Sequence, residues 1–386
     1  MQRDQEDRGA GGPPRPLENE SMRAVYRDLL RFGPRSRSEL ARRLGLSAPT
    51  VTRATRDLLE RDLLHTLDAV ARAKGRPQEP LDVEENRGPR FIGVKVTADE
   101  VHVVVTTVRG SVLEDLVLTL PDTAPDTLLE RVLVAVEALV AAHPMVAGIG
   151  IGLGGLVAGR RTVLSAHLLG WEEPVDLAAA LEERVHLPVV VENDLVAMLN
   201  GLHWFGLGRA YDSFCVLTVG AGVGIGTVLE GRVLQGHHHM AGLTGRMLLP
   251  GEDGGAVPVR DVASTAAVLR RARGAGILGE ADGMDALRRL LAAGEPGALE
   301  VARGTARALA RAAAGLVAVL DPEAIVLGGE DVDLVRAAAT AFEDTLRDAV
   351  AAAQERIVVR TLSGDFDEWA RGVAVIAIQE FVGGAP

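Results

Sequence analysis

The sequence predicts an α/β body behind a small basic helical module, and three observations predict it. From Phe91 onward, strand-like and helix-like apolar patterns alternate, the signature of an α/β fold. Before that point, residues 21–82 carry three short helical patterns and then a two-stranded ribbon pattern. Charge divides at the same place. Residues 1–80 hold 16 Lys/Arg and 12 Asp/Glu, and residues 81–386 hold 25 and 41, within a net charge of −12. The balance in 21–61 is 10 against 4. A basic head on an acidic body suggests a nucleic-acid contact by the head and another task for the body.

At 386 residues the chain has room for about two or three domains. Its 47 % hydrophobic content is enough for sizeable cores, and no apolar run reaches membrane-span length. The polar N-terminus has no apolar signal region, and a lone Cys215 excludes an internal disulfide; both point to the cytoplasm.

Residues 1–20, rich in Gly, Pro and charge, are expected to be a disordered tail. A helix follows from Ser21 to about Gly33-Pro34. Ser38 is expected to cap a second helix ending at Gly45, and Ser47 to cap a third whose apolar face is Val51, Ala54, Leu58 and Leu59. Leu63 to Asp82 reads as a ribbon with a basic Gly-Pro tip, so 21–82 forms a winged helix-turn-helix, and 83–89 is expected to be a linker. In the body, residues 90–120 read as hairpin strands and 125–143 as a helix. MVAGIGIGL then runs as a buried strand into the turn at Gly154-Gly155, and LPVVVEND is a strand before a helix at 195–202. Residues 213–234 form a glycine-bent hairpin. Helices at 283–293, 297–320, 331–352 and 367–382 enclose strands EAIVLGG and RIVVRTL.

In the head, the third helix would enter the major groove of double-stranded DNA. Its outward residues are Ser47, Pro49, Thr50, Thr52, Arg53 and Arg56, whose hydroxyls and guanidinium groups suit phosphates and base edges. Lys74 and Arg76 at the ribbon tip suit the minor groove. In the body, Glu192, Asn193 and Asp194 end an apolar strand, where open α/β sheets place ligands. There Asn193 either binds sugar hydroxyls or caps the next helix, and Asp194 is able to accept a hydroxyl proton. The run with Gly220, Gly222 and Gly224 is either a phosphate cradle or a tight hairpin. His237 to His239 are either a surface turn or polar groups for a ligand, His239 foremost.

SELARRLGLSAPTVTRATRDLLERDLL, the GRP of the wing, LLGW at 168–171, LPVVVENDLVA, LTVGAGVGIGTVLEGRVLQG and DPEAIVLGG occur in that order. Together they resemble the ROK family (repressors, open reading frames and sugar kinases) over about residues 20–380. The resemblance implies a two-lobed actin-like, hexokinase-like body, with lobe I over 90–208 plus helix 367–382 and lobe II over 209–366. It also implies that members with such a head are sugar-responsive, usually dimeric transcription factors.

This sequence departs from the family pattern at several functional positions. Where kinase members carry a phosphate-loop aspartate in D-x-G-x-T, the run Gly93 to Thr97 has Lys95. The family's Gly-Glu-x-Gly-His run, whose Glu binds sugar and His binds zinc, is here Gly242-Leu243-Thr244-Gly245-Arg246. The three zinc cysteines are absent from residues 250–262, and the second Asn of E-N-D-x-N is Val196. The expectation is therefore no zinc, no ATP and no catalysis. It is a homodimeric or larger DNA-binding regulator, a repressor, with a degenerate sugar-kinase-like body that senses a sugar or sugar phosphate. The alternatives are the same regulator answering to a protein partner or another ligand, and a sugar kinase.

Overall fold

The structure, a computed structural model, describes residues 14–17, 19–68, 79–242, 245–251, 254–351, 354, 356–364 and 367–383. The chain forms two compact units, Met1–Phe205 with Trp369–Pro386, and Gly206–Glu368.

The first unit opens with α1 (Glu20–Phe32), α2 (Arg37–Leu44) and α3 (Ala48–Glu60), followed by β1 (Leu64–Thr66) paired antiparallel with β2 (Leu81–Val83). These are the helices and ribbon of a winged helix-turn-helix. Asn19 caps α1 by accepting from the Met22 N–H. The second helix starts earlier than its sequence suggests. Ser36, not Ser38, is the cap, because Glu39 three residues on closes a reciprocal capping box with it. Gly45 turns the chain in the left-handed region (φ 65°), which favours glycine, and Ser47 caps α3.

The head is not loosely strung. The disordered tail expected over 1–20 does not include Leu17, which is fully buried and whose N–H donates to the Phe381 carbonyl. The expected linker at 83–89 is pinned instead. Buried Glu84 accepts from the Asn86 and Arg87 N–H groups, and the Arg90 guanidinium holds the Glu85 carbonyl at 2.7 Å. The tip of the wing, with Lys74 and Arg76, lies outside the described residues.

The rest of this unit is a five-stranded sheet in the order β5-β4-β3-β6-β9. It comprises β3 (Arg90–Val96), β4 (Glu100–Thr107), β5 (Val112–Thr119), β6 (Val146–Leu153) and β9 (Val189–Asn193), with a small β7 (Leu156–Ala158) and β8 (Thr162–Ser165) hairpin. The strands β3, β4 and β5 are antiparallel neighbours, while β6 and β9 run parallel to β3. Helices α4 (Pro125–Ala142) and α5 (Leu177–Val185) lie between these strands in the chain, and α6 (Asp194–Trp204) follows β9.

The second unit repeats that arrangement, in the order β12-β11-β10-β15-β16. Its sheet contains β10 (Phe214–Val219), β11 (Val223–Leu229), β12 (Arg232–Val233), β15 (Ala324–Gly328) and β16 (Val358–Thr361), with the pair β13 (Leu248–Pro250) and β14 (Ala256–Pro258) beside it. Its helices are α7 (Arg260–Ala263), α8 (Thr265–Gly274), α9 (Met284–Ala292), α10 (Pro296–Leu320), α11 (Val332–Ala337) and α12 (Ala339–Ala349). The single helix expected over 331–352 is two, broken at Ala338, whose backbone (ψ 32°) leaves helical geometry. The chain then returns to the first unit as α13 (Asp367–Val382).

One buried cluster joins head and body. Val25, Tyr26, Leu29 and Leu30 of α1 share it with Trp204 and with Val373 to Val382 of α13. Burial of such side chains contributes about 1.5–3 kcal/mol each, so the head is held by its own core and by the body's last helix. Among the described residues no helix is long and apolar enough to cross a membrane.

Candidate nucleic-acid interface and ligand site

Ser47, Pro49, Thr52, Arg53 and Arg56 are exposed on α3, and Thr50 is half-buried. Their roles in the free head differ. The Ser47 and Thr50 hydroxyls bond each other at 2.7 Å, and Thr52 Oγ1 donates back to the Ala48 carbonyl at 2.8 Å. Arg56 is paired with Asp57 (3.0 Å) and lies 3.7 Å from Glu60, so a phosphate must compete for it. Arg53 has no ion-pair partner among the described residues.

Much of the basic surplus counted in the head is structural. Arg35 and Arg43 both clamp buried Asp28, and Arg37 Nε donates to Thr55 Oγ1 at 3.0 Å. Arg31 donates to His203 Nε2 at 2.9 Å and stacks on Trp204 and Phe32. Arg42 on α2 is exposed and, like Arg53, has no ion-pair partner among the described residues; charge counting could not separate it from the clamped arginines.

The second site lies at the carboxyl ends of the parallel strands of the first unit. Strand register places Lys95 of β3 opposite Gly152 of β6, and Gly152 opposite Glu192 of β9. Beyond these ends come Gly154, Gly155, Asn193 and Asp194. A Cβ on Gly155 would lie 2.6 Å from the Ser165 carbonyl, so packing requires that glycine, whereas one on Gly154 would stand 3.8 Å from Asp194 Oδ2. Asn193 is spent on the fold. Its Oδ1 accepts from the Leu195 and Val196 N–H groups at the start of α6, and its Nδ2 donates to the Gly155 carbonyl. Glu192 is also engaged, accepting from the Asn193 N–H at 2.9 Å and lying 3.6 Å from Arg160 Nε.

Asp194 has a partner that residue spacing could not reveal. Its Oδ2 accepts from the Lys95 ammonium, while Oδ1 accepts from the Leu195 N–H at 2.8 Å. Lys95 is buried (7 % side-chain exposure) and Asp194 half-buried (15 %), and the ammonium lies 5.3 Å from the centre of the Trp369 ring. The cation at 95, seen in the sequence only as a departure, is thus the counter-ion of the site's central carboxylate.

The remaining candidates fall in the second unit. His237, His238 and His239 are exposed; the first two rings stack edge to face, and His239 Nδ1 is 3.2 Å from Gln235 Oε1. In the turn between β10 and β11, the Gly220 N–H donates to the Gly222 carbonyl and the Gly224 N–H to Thr218 Oγ1. The Ala221 N–H donates to Glu330 Oε1 at 2.6 Å. These residues do not fit the groups that the resemblance to sugar kinases implies. Gly242, Gly245 and Arg246 offer zinc no imidazole or thiolate, and Lys95 stands where an aspartate would help hold Mg²⁺-ATP. Among the described residues, no three His, Cys, Asp or Glu side chains converge on a metal-sized site.

Comparison with known proteins agrees with this architecture. The ROK family pattern matches residues 91–380. The xylose repressor of Bacillus subtilis is 22 % identical over 233 residues, 59 % of this chain and 60 % of the repressor, so the chain spans about 60 % of that relative's length. The glucokinase of Streptomyces coelicolor is 32 % identical over 269 residues, 63 % of this chain and 84 % of the enzyme. A solved ROK family transcriptional regulator, a homologue of the Escherichia coli Mlc protein, has the same fold. Its TM-score is 0.79 at 24 % identity, covering 94 % of this chain and 95 % of that one. The two repeated sheets, the strand-end carboxylate and the match over residues 91–380 together establish that the chain belongs to the ROK family.

Proposed function

We propose that this chain is a DNA-binding transcriptional regulator, a repressor, that acts as a homodimer or larger homo-oligomer on a double-stranded operator. Its first-unit site takes a sugar or sugar derivative as effector, and the chain works in the cytoplasm without catalysis, ATP or zinc. The observation that carries the reading is the outward face of α3. There, the α3 N-terminus, exposed hydroxyls and Arg53, which has no ion-pair partner among the described residues, share one face of a helix-turn-helix suited to the major groove. The similarity to a protein named xylose repressor supports it.

Helix α6 gives the effector a route to the head. It begins at Asp194 and ends at Trp204, about 15 Å away along a rigid helix. Its last residues hold Arg31 of α1 through His203 and the Trp204 ring. A parallel route runs through α13, where Gln379 donates to Asn200 Oδ1 and accepts from Arg160, the neighbour of Glu192. An effector hydroxyl that draws Asp194 away from Lys95 shifts α6 and with it the seat of α1. Effector and operator affinities are then reciprocally coupled, typically by about 1–3 kcal/mol.

The Lys95–Asp194 pair also favours a second reading, the same regulator with its ligand site closed and its body serving a protein partner or assembly alone. The pair counts against a kinase, because a general base must turn a lone pair to the attacking hydroxyl and here an ammonium takes that place.

Selection from a random duplex library tests the proposal. The wild-type chain should enrich a site of two related half-sites about 10 bp, or a multiple of that, apart. Arg53→Ala should weaken binding and lower the log–log salt slope by about 0.9, one phosphate contact. No enrichment, or an Arg53→Ala chain binding as well as wild type, would refute the head's assignment.

A further inference from the structure

We infer that the glycine turn of the second unit is an anion cradle filled from within, with the Glu330 carboxylate standing where a phosphate would bind. The inference deepens the reading of the body as non-catalytic. It fails separately from the DNA-binding assignment, because nothing in the head enters it.

Three observations carry it. First, the carboxylate lies inside the turn. Glu330 Oε1 takes the Ala221 N–H at 2.6 Å, and a Cβ built on Gly220 would fall 1.9 Å from the Glu330 carboxyl carbon. No room remains there for a phosphoryl group, and the neighbouring Gly220 and Gly224 N–H groups already serve the fold.

Second, residue 330 is held in that place by the backbone before and after it. Gly329 has φ 95°, a conformation reserved for glycine, and its Cα lies so near β10 that a Cβ would meet the Val219 carbonyl at 2.3 Å. The next residue, Asp331, is tied down by its N–H to the Val219 carbonyl (3.0 Å), by Arg288 (2.7 Å) and by Thr265 Oγ1. Arg288 also holds the Glu330 carbonyl oxygen at 3.0 Å. The turn Gly328 to Asp331 therefore returns residue 330 over the β10–β11 loop, whatever its side chain.

Third, the surroundings repel an incoming polyanion. Asp331 is buried, and Asp285 and Asp333 lie against the same Arg288. With Glu330 these make four carboxylates, of which Asp285, Asp331 and Asp333 meet Arg288, and Asp333 also meets Arg336. Carboxylate and phosphate compete for the same N–H donors, so a tethered carboxylate, present at high effective concentration, excludes a dissolved phosphate.

Calorimetric titration of the full chain with Mg²⁺-ATP, and separately with inorganic pyrophosphate, tests this. Wild type should give no binding heat at millimolar ligand. Glu330→Ala, which vacates the cradle, should give a measurable pyrophosphate isotherm at ligand concentrations at least tenfold below the highest at which wild type gives no heat. Glu330→Gln, which keeps the space filled but removes the charge, should give pyrophosphate binding heat at millimolar ligand where wild type gives none, and guards against a fold lost with alanine. Micromolar pyrophosphate binding by wild type would overturn the inference. So would a folded Glu330→Ala or Glu330→Gln chain, verified by its melting curve, that binds no better than wild type.

Discussion

The Lys95–Asp194 pair makes a prediction that can be worked from its geometry. Lys95 is buried and Asp194 half-buried, and each is the other's ion partner. Removing one member of a buried ion pair costs about 3–5 kcal/mol, because the other charge stays behind without compensation. Asp194 keeps the Leu195 N–H and a little solvent, which lowers the expectation for Lys95→Met to about 2–4 kcal/mol. Asp194→Asn strands the ammonium and should cost about the same. The double variant, Lys95→Met with Asp194→Asn, has no charge left to strand and should lose far less than the sum. The coupling should be at least about 1.5 kcal/mol. For a unit of roughly 200 residues, 1 kcal/mol shifts Tm by about 2–4 °C, so each single variant should melt about 4–16 °C early. Urea unfolding of the four chains without ligand measures the cycle. Costs that add within about 0.5 kcal/mol would show that the two groups do not act as a pair, and the account of a self-neutralised site would fall.

Two further expectations concern the packing that surrounds the route to the head. Gly201 of α6 and Gly372 of α13 cross so closely that a Cβ on Gly372 would stand 2.8 Å from Met198 Cα. Gly372→Ala, which stabilises an exposed helix by about 1 kcal/mol, should therefore destabilise here by about 1–3 kcal/mol, and a rise in stability would disprove the close crossing. In the other unit, burial pushes the Cys215 thiol up to about 11, opposed by its contact with Thr227. At pH 8 the native chain should react with a disulfide reagent only as fast as it unfolds, and one thiol per chain should appear in denaturant; reaction within seconds in native buffer would contradict its burial.

How far the sequence is legible depends on the range over which each feature is decided. Locally encoded features read well: the Ser47 cap, the Gly45 turn, the strand ending at Asn193 and the hairpin bent at Gly220 to Gly222 are set by residues within one turn of one another. The misplaced cap shows how little separates two local solutions. Ser36 precedes the helix and Ser38 falls in its first turn, and the Glu39 side chain, which reaches back to Ser36, decides between them. Helix α8 escaped notice because its alanine and arginine pattern shows no strong apolar stripe, although Ser264 caps it. The break at Ala338 carries no Gly or Pro to announce it.

The site was legible as a set of positions but not as a set of partners. Lys95 and Asp194 are 99 residues apart, Ala221 and Glu330 are 109 apart, and Arg31 and His203 are 172 apart. Strand register and helix docking bring each pair together, and spacing in one sequence carries no trace of either. The charge count misled for the same reason, since arginines that clamp Asp28 and Thr55 count equally with those that face solvent.

The central claim is that a ligand at Asp194 governs the head's grip on DNA. The most direct test is to titrate the complex of the chain with its selected operator against a panel of sugars and sugar phosphates, following DNA release by fluorescence anisotropy. The account predicts that one compound shifts operator affinity by about 5–150-fold, the range of ordinary allosteric coupling. It further predicts that Asp194→Ala, while still binding the operator, no longer responds to that compound. Operator affinity unchanged across the whole panel, or an Asp194→Ala chain that still responds, would contradict it.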